Sequence, residues 1–394
     1  MNSLPVRILA AVLTFILGVG LANLWLTTPT IHPVVCEFPA GVRPARLEMV
    51  FVIDTTGSMG GLLEAAKQHI WGIVNDVIRE THSSVRVGLV AYRDRGDAYV
   101  TQVLPLTEDL DKVYMTLMDY QAAGGGDGPE DVRSALADSV DRIPWSESAS
   151  GTSRIIFLVG DAPPHDDYDD VADTLTTAAN AAQKGIIVNT IQCGLSATTE
   201  QAWKAIAARG QGQYFAIAAD GGVRAITTPY DEQLSDLAQK LGATLVPYGF
   251  GGGAEGEAKR AQVLMVANSA EARVASSAPS AAKAERAVNK ALSSDAYVND
   301  LLQQIENGSV TLETIDPAQL PADFRAMAPK EQRQEIERRL AVRRDLRHQI
   351  VVLSKQRDSF IEAERKKSSG KDGFDEVVSK ALKEQMARAG NKRD

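Results

Sequence analysis

The chain has 394 residues, of which 44% are hydrophobic, 24% charged and 6% aromatic, and a formal net charge of −9 at pH 7. This composition supplies apolar mass for one large domain and a smaller one, and it excludes collagen, a disulfide-rich miniprotein and a wholly disordered chain. The acidic balance argues against a nucleic-acid binder that works by bulk attraction to phosphate, and two cysteines with five scattered histidines do not make a structural zinc site.

Residues 8–26 (ILAAVLTFILGVGLANLWL) form an apolar run without a charge, preceded by Arg7 and carrying Trp25 near its far end. As a helix the run spans roughly 28 Å, close to a bilayer core. Residues 1–30 are therefore read as a single-pass membrane anchor, with the bulk of the chain exported to the periplasmic or extracellular side. A cleaved signal peptide, with Gly20-Leu21-Ala22 as its small-residue site, and a buried core helix are the other readings. Export would let Cys36 and Cys193 pair; a buried free thiol at Cys193 is the alternative.

From residue 46 the sequence alternates strand-like and helix-like segments. Residues 47–53 (LEMVFVI) read as a buried parallel strand. Residues 59–80 have helical spacing, with Leu62, Leu63, Ala66, Ile70, Ile73, Val74, Val77 and Ile78 on one broad face. Strands follow at 85–92 and 99–104, helices at 110–120 and 129–143, and a central strand at 154–159. Then come a helix at 170–183, a strand at 186–192, a helix at 198–208, a strand at 213–217 and a closing helix at 230–245. Six strands interleaved with helices predict an α/β fold with a doubly wound, mostly parallel six-stranded sheet, followed by a helical region.

Beyond residue 247 the composition shifts. Residues 46–250 carry 28 acidic and 15 basic side chains, residues 251–394 carry 22 and 25. Residues 248–284, rich in Gly, Ala and Ser, read as a linker, and 285–394 as a helical, partly coiled-coil region. An amphipathic helix is expected at 295–307, a proline-broken connector at 313–328 and a long charged helix at 329–367. In that last helix Ile336, Leu340, Leu346, Ile350, Leu353 and Phe360 recur at three- and four-residue steps, with Arg343 and Arg357 at two places where an apolar residue is expected. A hairpin within the chain and a short coiled coil both fit this spacing.

Ligands of doubly wound sheets sit beyond the carboxyl ends of the strands, so the chemistry belongs in the strand-to-helix loops. Three of them carry oxygen-bearing residues: Asp54-Thr55-Thr56-Gly57-Ser58-Met59, the glycine-rich 123–131 with Asp127, Glu130 and Asp131, and Gly160-Asp161-Ala162-Pro163-Pro164-His165. Hydroxyls and carboxylates without a histidine or thiolate cluster suit a hard cation such as Mg²⁺ or Ca²⁺. His165 either reaches the metal's bound water or is an ordinary loop residue. Asp166, Asp167, Asp169, Asp170 and Asp173 either hold a second cation or form a solvated face at the start of the next helix. Arg93-Asp94-Arg95 reads as a salt-linked loop near the site.

DTTGSM after a first strand, GGGDGPE before a helix and LVGDAPPH after a central strand resemble the loops of a von Willebrand factor type A domain. The resemblance covers residues 46–247 and is strongest to the branch with GGGD-x-PE and DAPPH loops, as in some α-kinase-linked and hemicentin-like domains. It implies a metal-ion-dependent adhesion site, whose first loop in the family is Asp-x-Ser-x-Ser. Here Asp54-x-Thr56-x-Ser58 keeps a hydroxyl at each place, and Asp161 corresponds to the family's last-loop aspartate. The family's second-loop threonine has no clean match: Asp127 lies nearest, with Glu130 as the alternative. A cation held by neutral hydroxyls keeps net positive character at one open position, which an acidic residue of a partner can fill; an added carboxylate changes that charge.

The resemblance implies a protein-binding module rather than an enzyme, using Mg²⁺ (or Ca²⁺ or Mn²⁺) and gripping a protein partner through an acidic residue; the apolar run adds the membrane tether, and the acidic balance argues against nucleic acid. The region after the domain is similar to the tail of some bacterial relatives, which names no activity. Two alternatives stay open: a scaffold whose C-terminal helices bind the partner while the domain is structural, and a metal-dependent hydrolase using Asp54, Asp161 and His165.

Overall fold

The computed structural model describes residues 46–81, 84–126, 128–147, 152–165, 167–222, 226–293, 296–297, 299–367 and 374–391. The apolar run at 8–26, Cys36, Asp127 and Asp166 lie outside them. Among the described residues no helix is long and apolar enough to cross a membrane.

β1 (Arg46–Asp54) leads through a 3-10 turn at Gly57–Met59 into α1 (Gly60–Thr81). β2 (Ser84–Tyr92), β3 (Thr101–Thr107), α2 (Leu110–Asp119), α3 (Val132–Asp141), β4 (Thr152–Gly160) and α4 (Thr174–Gln183) follow. β5 (Ile186–Cys193), α5 (Ala197–Arg209), β6 (Gln211–Ile217) and α6 (Asp231–Gly242) complete the alternation. The strand order is β3-β2-β1-β4-β5-β6, parallel throughout except for the antiparallel β2–β3 pair. The expected mostly parallel, doubly wound sheet is therefore present. Its order reverses between β1 and β4, which puts the crevice of a switch point beside the carboxyl ends of these two strands.

Alternation along β1 splits the core. Leu47, Met49, Phe51 and Ile53 pack with α1 and α2, whereas Val50 and Val52 pack with α3, α4 and α5. Phe51 stacks on Phe157 of β4 with ring centroids 5.4 Å apart. Helix starts are set by side-chain caps: Asp109, Asp131, Asp173 and Ser196 accept from backbone N–H groups of α2, α3, α4 and α5. The cap at Asp173 shows that one of the acidic residues of 166–173 serves the next helix, as one of the two readings had it.

The region beyond residue 247 differs from expectation. It contains α7 (Gly253–Ser277), α8 (Ser280–Leu292), α9 (Leu301–Glu306), α10 (Ala322–Arg325), α11 (Pro329–Arg365) and α12 (Phe374–Asn391). Residues 248–284, expected as a linker, are mostly helix, because the alanines that gave them low complexity are the strongest helix formers. Val274, Ala278 and Ala282 of this stretch join the core beneath the sheet. α11 packs inside the chain: its Leu346, Ile350 and Leu353 cluster with Leu234, Leu237 and Leu241 of α6 and with Ala284, Ala287 and Val288 of α8.

The two arginines on the apolar seam of α11 are buried and paired. Arg343 bonds to Thr244 Oγ1 at 2.9 Å and ion-pairs with buried Asp300, and Arg357 donates to Asp231 Oδ1 at 2.9 Å and pairs with Glu285. α12 returns to the sheet. Its Phe374, Val377, Val378, Ala381 and Leu382 belong to the same core as β1 and α1, so no core boundary separates the sheet domain from the tail.

Candidate metal centre

The three oxygen-bearing loops meet at the carboxyl ends of β1 and β4, and backbone hydrogen bonds sew them together. Gly57 N donates to Gly124 O at 3.2 Å and Ala123 N to Thr55 O at 3.1 Å, which joins the first loop to the second. Glu130 N donates to Pro163 O at 3.0 Å and His165 N to Glu130 O at 3.1 Å, which joins the second to the third.

Asp54 ends β1 fully buried. Its Oδ1 accepts from Thr56 N at 2.8 Å and Thr56 Oγ1 at 2.6 Å, and Thr56 Oγ1 lies 3.5 Å from Ser58 Oγ. The i, i+2, i+4 spacing thus turns all three side chains to one side, with Ser58 at the exposed rim. Asp54 Oδ2 is buried without a hydrogen-bond partner. Burial pushes the Asp54 carboxyl up to about 7; the Thr56 bonds and Arg93 oppose the rise and Asp161 adds to it.

Glu130, the alternative to Asp127, is brought to the same place. It is 4% exposed, its carboxyl lies against the Thr56 hydroxyl, and its Oε2 is buried without a hydrogen-bond partner. Burial, then the nearby Asp54 and Asp94, push it up to about 8. Two glycines make room for this convergence. Gly125 has φ +79°, and a Cβ there would come within 3.1 Å of Glu130 Oε1 and 3.3 Å of Thr56 Cβ. A Cβ on Gly160 would lie 2.5 Å from Tyr92 Oη and 3.2 Å from Asp54 Oδ2.

Asp161 is half-buried and close enough to Asp54 for their charges to interact. Its backbone carbonyl accepts from Thr199 Oγ1 at 3.0 Å. His165 lies to one side. Its ring stacks on Tyr168 at 4.2 Å, its Nδ1 lies 2.9 Å from Asp167 Oδ1 and its Nε2 lies 3.5 Å from Asp94 Oδ1. Cys193 is a buried free thiol at the end of β5, held well above its usual pKa by burial and by Asp161 and Asp54.

Tyr92 and Tyr99, which nothing in the sequence marked, help to position the first loop. Thr55 donates to Tyr92 O at 2.8 Å and its hydroxyl lies 2.7 Å from Tyr99 Oη. Arg93 braces the first loop from Thr55 O, 3.2 Å away, to Gln121 O, 2.6 Å away. Arg95 binds Asp131 at 3.0 Å and Asp170 at 2.7 Å and covers the Tyr168 ring, so the 93–95 segment is salt-linked as expected. The tyrosines carried no spacing signal, since they come from β2 and from the segment before β3.

No group of three or more His, Cys, Asp or Glu side chains in metal-holding geometry occurs among the described residues. The donor set here is mixed: the hydroxyls of Thr56 and Ser58 beside the carboxylates of Asp54, Glu130 and Asp161. An oxygen-only set with two buried, unbonded carboxylate oxygens fits a hard divalent cation.

Residues 48–229 match the family model described as von Willebrand factor A domain. Human von Willebrand factor A domain-containing protein 7 is 34% identical over 127 residues, which is 32% of this chain and 13% of that protein. The alpha-protein kinase vwkA of Dictyostelium discoideum is 26% identical over 132 residues, 32% of this chain and 20% of the kinase. The chain therefore spans no more than a fifth of either relative. Among solved structures, the SpRpn10 VWA domain aligns with 44% of this chain and 89% of its own length, at 17% identity and a TM-score of 0.35.

Proposed function

From a von Willebrand factor A domain over residues 48–229, we propose a protein-binding module that works through a divalent cation. Asp54, Thr56, Ser58 and Glu130 would hold the ion, with Asp161 beside it and Asp127 outside the described residues. The cation, Mg²⁺ or alternatively Ca²⁺ or Mn²⁺, would supply a Lewis-acidic position on the exposed Ser58 side, which one oxygen of a protein partner completes. The resemblance of the loops implies a carboxylate there. The observation that carries this reading is the pair of buried, unbonded oxygens, Asp54 Oδ2 and Glu130 Oε2, set beside two hydroxyls. Leaving both unmatched is costly, and a cation removes the cost.

The same reading makes the protein a binding module rather than an enzyme. Separately, from the apolar run of residues 8–26, we propose that the domain is exported and tethered to a membrane. The experiment is direct. Full-length protein is melted with EDTA and with Mg²⁺, Ca²⁺ or Mn²⁺, alongside Asp54→Ala. Stabilisation by a cation in the native protein and its loss in Asp54→Ala supports the centre; no cation effect on the native protein refutes it. Fractionation tests the anchor separately, and recovery in the soluble cytoplasmic fraction would overturn it.

A further inference from the structure

We propose that Glu130 makes this a charge-compensated centre, whose cation takes a neutral oxygen from a basic partner segment and not a carboxylate. The proposal rests on the reading of a cation at this site and concerns what the bound ion can still attract.

The charges around the centre can be counted. Asp54 and Glu130 lie close enough for their charges to interact, and so do Asp161 and Asp54. Two carboxylates cancel a divalent ion and the third leaves an excess. Glu130 also feels Asp94 and Asp97. Asp97 is held there by Gly125 N at 3.1 Å. Arg93 is the cation that acts on Asp54, while Arg95 is committed to Asp131 and Asp170. With the ion in place the surroundings remain net negative.

An incoming carboxylate would meet that field at contact distance in a place partly closed to water, where like charges are poorly screened. With a hydroxyl in place of Glu130, one negative charge fewer would stand against the ion. On the side of the loops where His165 lies, Asp167 adds a further carboxylate that is 77% exposed. Charge complementarity therefore selects a lysine- or arginine-bearing segment that offers a hydroxyl or carbonyl oxygen to the metal.

The test uses full-length protein loaded with Mn²⁺, with water-proton relaxation as the readout of metal-bound water. Acetate is the first probe. It should leave the relaxation of the native protein unchanged and lower it in Glu130→Gln and Glu130→Thr, by displacing a bound water. Two lysine-flanked peptides that differ only in a central Ser or Asp are the second probe. The Ser peptide should bind the native protein more tightly in Mn²⁺, with the order reversed in Glu130→Gln. Mn²⁺ itself should bind at least about tenfold more weakly to Glu130→Gln. Acetate displacing water from the native protein, or the native protein preferring the Asp peptide, overturns the proposal even if the variants fail to fold. Failure of the native protein to bind Mn²⁺ at all is a different result, which refutes the cation centre itself.

Discussion

The side-chain amides of Asn189, on β5, and Gln385, on α12, exchange two hydrogen bonds of 3.1 and 2.6 Å across 196 residues of sequence. Both are buried, and Asn189 Oδ1 also accepts from Gln213 N of β6 at 2.9 Å. The last helix is thus part of the sheet domain. Gln385→Leu should leave the Asn189 side-chain nitrogen without its acceptor and cost about 1–3 kcal/mol, read as a lower midpoint in urea unfolding. Ending the chain after residue 367 should cost more, about 5 kcal/mol or above, because Phe374, Val377, Val378 and Leu382 leave the core together. A truncated protein that melts like the native one would refute the role of α12.

A second expectation concerns pH. Asp54 and Glu130 are held at about 7 and about 8, above their unfolded values, so their neutral forms favour the folded state. In EDTA that contribution is complete below about pH 4 and is lost as pH rises through 7 to 8. The melting temperature from these two groups should therefore fall between pH 5 and 8 without metal, and a saturating divalent cation should reverse the fall. Cation binding at pH 6 should also release protons, measurable by calorimetry in buffers of different ionisation enthalpy.

Neutralising the same carboxyl separates stability from binding. Asp54→Asn keeps an acceptor for Thr56 N and removes a buried charge. In EDTA at pH 8 it should be more stable than the native protein by on the order of 1–3 kcal/mol, while losing the shift that cation produces. Reduced stability together with retained cation binding would contradict the geometry described for β1.

Gly125→Ala tests the approach of the second loop. The position has φ +79°, and the added methyl meets Glu130 and Thr56. The variant should lose about 1–2 kcal/mol of stability and bind Mn²⁺ more weakly. Gly126→Ala, where nothing lies within 4 Å of the new atom, serves as its control.

Away from the centre, Asp300 is buried against Arg343, caps α9 by accepting from Gln303 N at 3.1 Å and accepts from Val246 N at 2.8 Å. Asp300→Ala strands a buried guanidinium and should cost about 3–5 kcal/mol. Adding Arg343→Met should recover part of that loss, and a double variant no better than the single would refute the pairing.

The sequence alone was sufficient for the sheet and for the position of its loops. Strands buried on both faces must be nearly continuous apolar runs, helices between them must show a broad apolar face, and Asp54-x-Thr56-x-Ser58 and Asp161 lie where two parallel strands deliver side chains to a crevice. Tertiary structure decided the rest. Glu130 reaches the centre because backbone bonds tie it to Pro163 and His165, and pairing between loops leaves no periodicity to read. The tail is the clearest case. Phe374, Val377, Val378, Ala381 and Leu382 have the spacing of an amphipathic helix, so a buried face is legible there. That this face closes the sheet beside α1 was not, because hydrophobic burial is non-directional and a stripe of apolar residues does not name the surface that will cover it.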